Sequence, residues 1–178
     1  MTVPFHLQVA LISDTHGVVD PRIAELIAGS DWVIHAGDIG NASVLHQLAR
    51  LAEKLVAVRG NNDTPGKWPQ ADHTILAALP HERRITLPGG ELVVVHGHRL
   101  TPASQRHHRL RQRYAGVRAV VYGHSHRLVE DTAAEPWILN PGAAGRARTY
   151  GGPSCLLLRI RGDLWHVEPH RFATGKRG

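Results

Sequence analysis

LQVALISDTHG (residues 7–17) and DWVIHAGDIG (residues 31–40) decide the fold. Each opens as a dense apolar run long enough for a buried strand, then hands over to a short polar segment built on aspartate and glycine. Between them, Asp20-Pro21 offers an N-cap and a proline at the first helical position. Ile23, Leu26 and Ile27 follow at helical spacing, and Gly29 closes the helix. Asn41 can cap a second helix, with Val44, Leu45, Leu48 and Leu51 on one face, and residues 55–58 form a third strand. This β-α-β-α-β alternation predicts parallel strands with helices covering the sheet.

The pattern changes after that. Residues 62–72 contain Pro65, Gly66 and Pro69 and read as a loop. Residues 83–87 and 91–95 flank Pro88-Gly89-Gly90, the signature of a hairpin. A polar helix over about 102–114 follows, then a buried strand at 119–122. Short strands near Leu128, at 137–139, 155–160 and 164–168 complete the chain, with Arg161-Gly162-Asp163 as the last turn.

Seven residues able to bind metal fall just after these apolar runs. They are Asp14 and His16 in ISDTHG, Asp38 in HAGDIG, Asn61 in RGNND, His96 in VVVHGH, and His124 and His126 in YGHSH. Each motif is weak alone; in order, each at a strand end, they point to one site, because ligands in open α/β sheets bind beyond the carboxyl ends of the strands. Asp14/His16 and His124/His126 are each spaced i, i+2, which in extended backbone turns both side chains to one side. Gly17, Gly37, Gly60, Gly97 and Gly123 sit beside these residues and allow close backbone approach.

Carboxylate, amide and imidazole donors together suit manganese, iron, zinc, cobalt or nickel better than magnesium or calcium. Seven donors exceed one tetrahedral ion but suit two if a carboxylate bridges, and Asp38, in a tight Gly-Asp turn, is the expected bridge. Two ions about 3.5–4 Å apart can clamp a phosphate and acidify a bridging water, giving a hydroxide that attacks phosphorus in line.

The series D-x-H, GD, GNND, HGH, GHSH resembles the calcineurin-like metallophosphoesterase superfamily, and within it the small phosphodiesterase branch that also holds the retromer subunit Vps29. The segment LNPGAAGRAR (residues 139–148) is similar to the same branch. The resemblance implies an α/β fold: a four-layer α/β-β/α sandwich with two mixed sheets. It implies two divalent ions, manganese first among them. Asp14, His16, Asp38 and His126 would hold one ion, and Asp38, Asn61, His96 and His124 the other. His98 and Asn62 are the residues expected to contact phosphate. Asn62 occupies a position where many of these phosphatases carry a histidine that assists the leaving group. An amide donates a hydrogen bond but no proton, so diesters with good leaving groups are the expected substrates, either small molecules or nucleotides. Asp63 is read as orienting Asn62 or His98, or as capping a turn. Trp68, Arg146 and Arg148 are read as lining the pocket.

At 178 residues the whole chain (1–178) reads as a single phosphoesterase domain, with a core from about 7 to 168 and a short basic, frayed tail. Lys plus Arg total 21 against 15 Asp plus Glu, and much of the excess lies in residues 99–118 and 171–177, which favours anionic substrates. The lone Cys155, in an apolar run, reads as buried. The absence of a basic n-region or of a long apolar stretch predicts neither a signal peptide nor a membrane span, and hence a cytoplasmic protein. Self-association is left open. Two other readings compete with the phosphodiesterase: a retromer-type scaffold that keeps the site without catalysis, and a nuclease using Arg106, His107, Arg109, Arg111 and Arg113 on the polar helix as a basic stripe. The solvated helix face is favoured over that stripe, since aromatic stacking partners are sparse there, and the complete ligand set favours the enzyme over the scaffold.

Overall fold

The computed structural model describes residues 6–174; the tail at 176–178, read above as frayed, lies outside them. The strands are β1 (His6–Ile12), β2 (Ser30–His35), β3 (Ala52–Ala57), β4 (Glu82–Leu87), β5 (Gly90–Val95), β6 (Ala119–Val121), β7 (Leu128–Asp131), β8 (Trp137–Pro141), β9 (Ser154–Arg161) and β10 (Leu164–Arg171). The α-helices are α1 (Pro21–Ile27), α2 (Ala42–Ala49), α3 (His73–Ala78) and α4 (Arg106–Arg113).

Ten strands form two five-stranded mixed sheets, in the orders β10-β9-β1-β2-β3 and β4-β5-β6-β8-β7. In the first, β1, β2 and β3 are parallel, while β9 runs antiparallel to β1 and β10. In the second, β5, β6 and β8 are parallel, and β4 and β7 run antiparallel at the edges.

Alternation along β1 shows how the layers arise. Leu7, Val9 and Leu11 point between the sheets, where they meet Leu92, Val94, Val121 and Leu139 of the second sheet. Ala10 and Ile12 point outward, where they join Ile23 and Ile27 of α1, Leu45 and Leu48 of α2 and Leu76 of α3. Both faces of β1 are thus buried, which is why it reads as an unbroken apolar run. On the far side, Val93, Val95, Val120 and Tyr122 pack against Leu110 of α4. The result is four layers: helices, sheet, sheet, helix. Cys155 is fully buried in the α1–α3 layer, and burial pushes its thiol up to about 12.

The expected caps are present. Asp20 accepts from the Arg22 backbone N–H ahead of Pro21, and Asn41 Oδ1 accepts from Val44 N at 3.2 Å. One helix had no expectation: α3, with Leu76 as its buried residue, follows the 62–72 segment directly. The polar helix begins with a 3₁₀ turn at Ala103–Gln105 before α4. Since β1–β3 run parallel, as do β5, β6 and β8, the loops carrying Asp14, Asp38, Asn61, His96 and His124 leave strand ends on one side of the sandwich.

Candidate metal centre

Among the described residues six non-glycine residues have positive φ, and five of them are candidate ligands: Asp14 (53°), His16 (46°), Asp38 (56°), His124 (67°) and His126 (57°). The i, i+2 pairs therefore do not converge through extended backbone, as their spacing suggested. They converge because left-handed residues curl each loop back over its own strand end. Such conformations are costly for non-glycine residues and persist where surrounding structure over-determines them.

Hydrogen bonds between loops supply that determination. Asp14 N donates to Gly37 O at 3.0 Å, and His16 N to Asp38 O at 3.0 Å. Two glycines make the approach possible. A Cβ at Gly60 would strike the Asp38 carboxylate, and one at Gly123 would strike Ser13 Oγ and come within 2.8 Å of Asp14 Oδ2.

The seven side chains gather around Asp38. On one side, His16 Nε2 lies 3.9 Å from Asp38 Oδ2, 4.0 Å from Asp14 Oδ1 and 3.3 Å from His126 Nε2, which is itself 3.2 Å from Asp14 Oδ1. On the other, His96 Nε2 lies 3.4 Å from Asp38 Oδ1 and 3.1 Å from Asn61 Oδ1, and His124 Nδ1 lies 2.9 Å from the same amide oxygen. Asp14, His16 and His126 form one constellation with metal-ligand spacing, and Asp14, Asp38 and His96 form another.

Tautomers follow from the outer contacts. His96 Nδ1 meets Ala36 O at 2.7 Å, and His126 Nδ1 meets Ala147 O at 3.3 Å. A carbonyl only accepts, so in each neutral ring Nδ1 carries the hydrogen and the Nε2 lone pair faces inward. Asp14 Oδ1 is buried with no hydrogen-bond partner, although Oδ2 accepts from Ser13 Oγ and His124 N. A carboxylate oxygen shut from water without a donor is costly unless a cation neutralises it. The donor set therefore fits divalent ions.

Asp38 is kept ionised. Burial alone would raise its carboxyl, but the hydrogen bond and charge of His96 and two hydrogen bonds from Asn62 outweigh burial and hold it well below the ordinary carboxylate range. Burial works against protonation of His96 too, yet Asp38 and Asp14 raise it above the ordinary histidine value, so a proton and a cation compete for the same place.

Asn62 reaches Asp38 twice, from its backbone N to Oδ1 at 2.8 Å and from Nδ2 to Oδ2 at 2.6 Å. Its own amide oxygen accepts from Lys67 Nζ. Lys67 thus stands at the site, with nothing in its sequence neighbourhood beyond GKWP to announce it. His98 packs beside His96 and His124, with ring centroids 5.4 and 6.2 Å away. Burial and the positive charge of His96 and Arg99 lower it to about 4.

Of the two Asp63 readings the structure keeps capping, and the Trp68 reading is corrected. Asp63 orients neither Asn62 nor His98. Its fully buried carboxylate accepts from the backbone N–H groups of Ile39, Gly40 and Gly60 and from Trp68 Nε1, at 2.8–3.0 Å, tying the Asp38 loop to the Asn61 loop. Trp68 is buried rather than pocket-lining, because its indole N–H is committed to Asp63. The basic residues of α4 are also mostly engaged. Arg106 is buried against Leu100 O, His107 bonds Tyr122 Oη, and Arg111 pairs with Asp131 at 2.7 Å. They do not form one free stripe.

His35, fully buried behind the site, had drawn no expectation beyond ending β2. Gly37 N donates to its Nδ1 at 3.1 Å, so Nε2 carries the hydrogen and donates to Thr15 Oγ1, whose hydroxyl donates to Ile39 O. This relay locks the Asp14 loop to the Asp38 loop and requires a neutral imidazole. Burial lowers His35 from 6.5 to about 4. The unfolded chain therefore binds the extra proton between those values, and stability present above 6.5 is lost as pH falls towards 4. That contribution is roughly 3 kcal/mol. Chemical denaturation at pH 7 and pH 4.5 should show it, and His35→Gln should make the difference smaller by about that amount. An equal drop in wild type and variant would contradict the relay.

A family model for the calcineurin-like phosphoesterase superfamily domain matches residues 7–163. A Methanocaldococcus jannaschii protein named as a probable metallophosphoesterase is 30% identical over 143 residues, covering 76% of this chain and 67% of the relative. The phosphodiesterase YfcE of Escherichia coli K12 is 28% identical over 167 residues, covering 82% and 86%. Among solved structures, Vacuolar Protein Sorting 29 from Cryptosporidium parvum aligns with a TM-score of 0.74 at 20% identity, covering 96% of this chain and all of that one (100%). Vps29 from Entamoeba histolytica, solved with Zn²⁺, aligns with a TM-score of 0.73 at 19% identity, covering 94% and 99%. At these identities the structural likeness bears on the fold.

Proposed function

The chain belongs to the calcineurin-like phosphoesterase superfamily, and from that premise we propose that it is a phosphodiesterase dependent on two divalent ions, manganese by preference. The observation that carries the reading is the Asp38 carboxylate, whose two oxygens face two separate groups of nitrogen and oxygen donors. Asp14, His16 and His126 would share Asp38 around one ion, and Asn61, His96 and His124 around the other. What such ions supply when bound is Lewis acidity towards phosphate oxygens and a water of lowered pKa.

The chain's own residues set the rest. Ala36 O and Ala147 O hold the His96 and His126 rings with their lone pairs inward. Asn62 keeps Asp38 oriented and ionised, and the second N–H of its amide remains for a phosphate oxygen. His98 borders the recess on the His96 side as the other candidate phosphate contact. Neither amide hydrogen is a proton for the leaving group, and this favours diesters whose leaving group departs as a stable anion. We further propose one domain over residues 1–178 acting in the cytoplasm. No described helix is long and apolar enough to cross a membrane, and the buried lone cysteine suits a reducing compartment.

Turnover of bis(4-nitrophenyl) phosphate and 4-nitrophenyl phosphate by Mn²⁺-loaded protein tests the reading. Diester kcat/KM should exceed monoester kcat/KM by at least about tenfold, and chelation should abolish both. Preference for the monoester, or hydrolysis indifferent to chelation, would contradict it.

A further inference from the structure

Beside the metal centre lies a second recess of about 590 Å³, lined by Asp20, Arg22, Arg146, Arg148, Thr149 and neighbouring residues. Its charge is one-sided. Asp20 is already neutralised: Arg22 donates to it from the backbone N, Nε and Nη2, at 3.0, 2.9 and 2.9 Å. That leaves Arg146 and Arg148, both exposed, with no ion pair or side-chain hydrogen bond among the described residues. Three arginines against one aspartate give the recess a net charge of +2.

The recess is tied to the site by one residue. Ala147, between the two arginines, accepts the hydrogen bond from His126 Nδ1 through its carbonyl. Arg148 is close enough for its charge to bear on His16. It is also the sixth non-glycine residue with positive φ, at 51°, the other five being candidate metal ligands. The backbone strain that forms the centre thus continues into this loop. Two exposed guanidinium groups without a carboxylate partner, carried on a loop tied to His126, are free to hold an anion by charge-assisted, forked hydrogen bonds.

We propose that Arg146 and Arg148 form a subsite for a second, non-scissile phosphate, so that the preferred substrates are phosphodiesters carrying another phosphate near the scissile one. This rests on the phosphodiesterase reading, and the experiment separates the two. Thymidine 5′-(4-nitrophenyl phosphate) and its 3′-phosphorylated counterpart are compared in wild type and in Arg146→Glu/Arg148→Glu. The expected result is a preference in kcat/KM of about tenfold for the 3′-phosphorylated diester, weakening with added salt and falling to about unity or below in the variant.

Equilibrium binding of thymidine 3′,5′-bisphosphate and thymidine 5′-monophosphate to Mn²⁺-loaded protein makes the same comparison without turnover. Wild type should bind the bisphosphate more tightly, and the variant should not. Hydrolysis of the plain diester with no preference for the second phosphate, in rate and in binding, would overturn the subsite and leave the phosphodiesterase reading standing. Absent hydrolysis with a bisphosphate preference that the variant loses would overturn that reading and keep the subsite.

Discussion

Replacing Asp38 by asparagine is expected to lower kcat/KM on bis(4-nitrophenyl) phosphate by about a thousandfold, roughly 4 kcal/mol of transition-state stabilisation, and to reduce the bound metal to one ion or none. Asparagine tolerates the left-handed backbone that Asp38 adopts at φ 56°, so the fold should survive and the change isolates one charge. Asp38 is the carboxylate that both donor groups approach, at 3.9 Å from His16 Nε2 and 3.4 Å from His96 Nε2. Its neighbours hold it ionised. A variant within tenfold of wild type, assayed with metal, would show that the bridge lies elsewhere.

The largest stability effect is expected at Asp63. Its carboxylate satisfies three backbone N–H groups and the Trp68 indole, and none of its surface reaches solvent. Asp63→Ala leaves these donors without partners, and stability should fall by roughly 4 kcal/mol. For a chain of this size that is a drop in Tm of roughly 10 °C. Trp68→Phe removes a single donor and should cost about 1 kcal/mol. Metal content of Asp63→Ala should fall as well, because the donors released include the amides that follow Asp38. Thermal unfolding checks the first effect; an Asp63→Ala protein as stable as wild type would refute the strapping role.

These two residues mark the boundary of what sequence could convey. Asp38 was legible because its signal is local: an apolar run, then Gly-Asp, at a strand end. The caps at Asp20 and Asn41 were legible for the same reason, since a capping oxygen and the backbone N–H that donates to it lie within three residues of each other. The fold followed from strand and helix periods plus the resemblance carried by five short motifs. Asp63 and His35 were not legible in their roles. The contacts that tie separate loops together, from Asp63 to the Ile39 and Gly40 amides and from His35 to the Thr15 hydroxyl, span 20 and more residues and leave no spacing in the sequence. The left-handed backbone at Asp14, His16, His124 and His126 was hidden for a different reason: aspartate and histidine occur far more often at negative φ, and only packed neighbouring loops reveal the exception. Helix α3 escaped because six residues with a single buried side chain, Leu76, show too little periodicity.

In the proposed centre, seven residues hold two ions astride Asp38. Anomalous scattering from Mn²⁺-soaked crystals tests it most directly. Two peaks are expected to flank the Asp38 carboxylate, one against Asp14, His16 and His126 and the other against Asn61, His96 and His124. A single peak, or two that do not share Asp38, would contradict it.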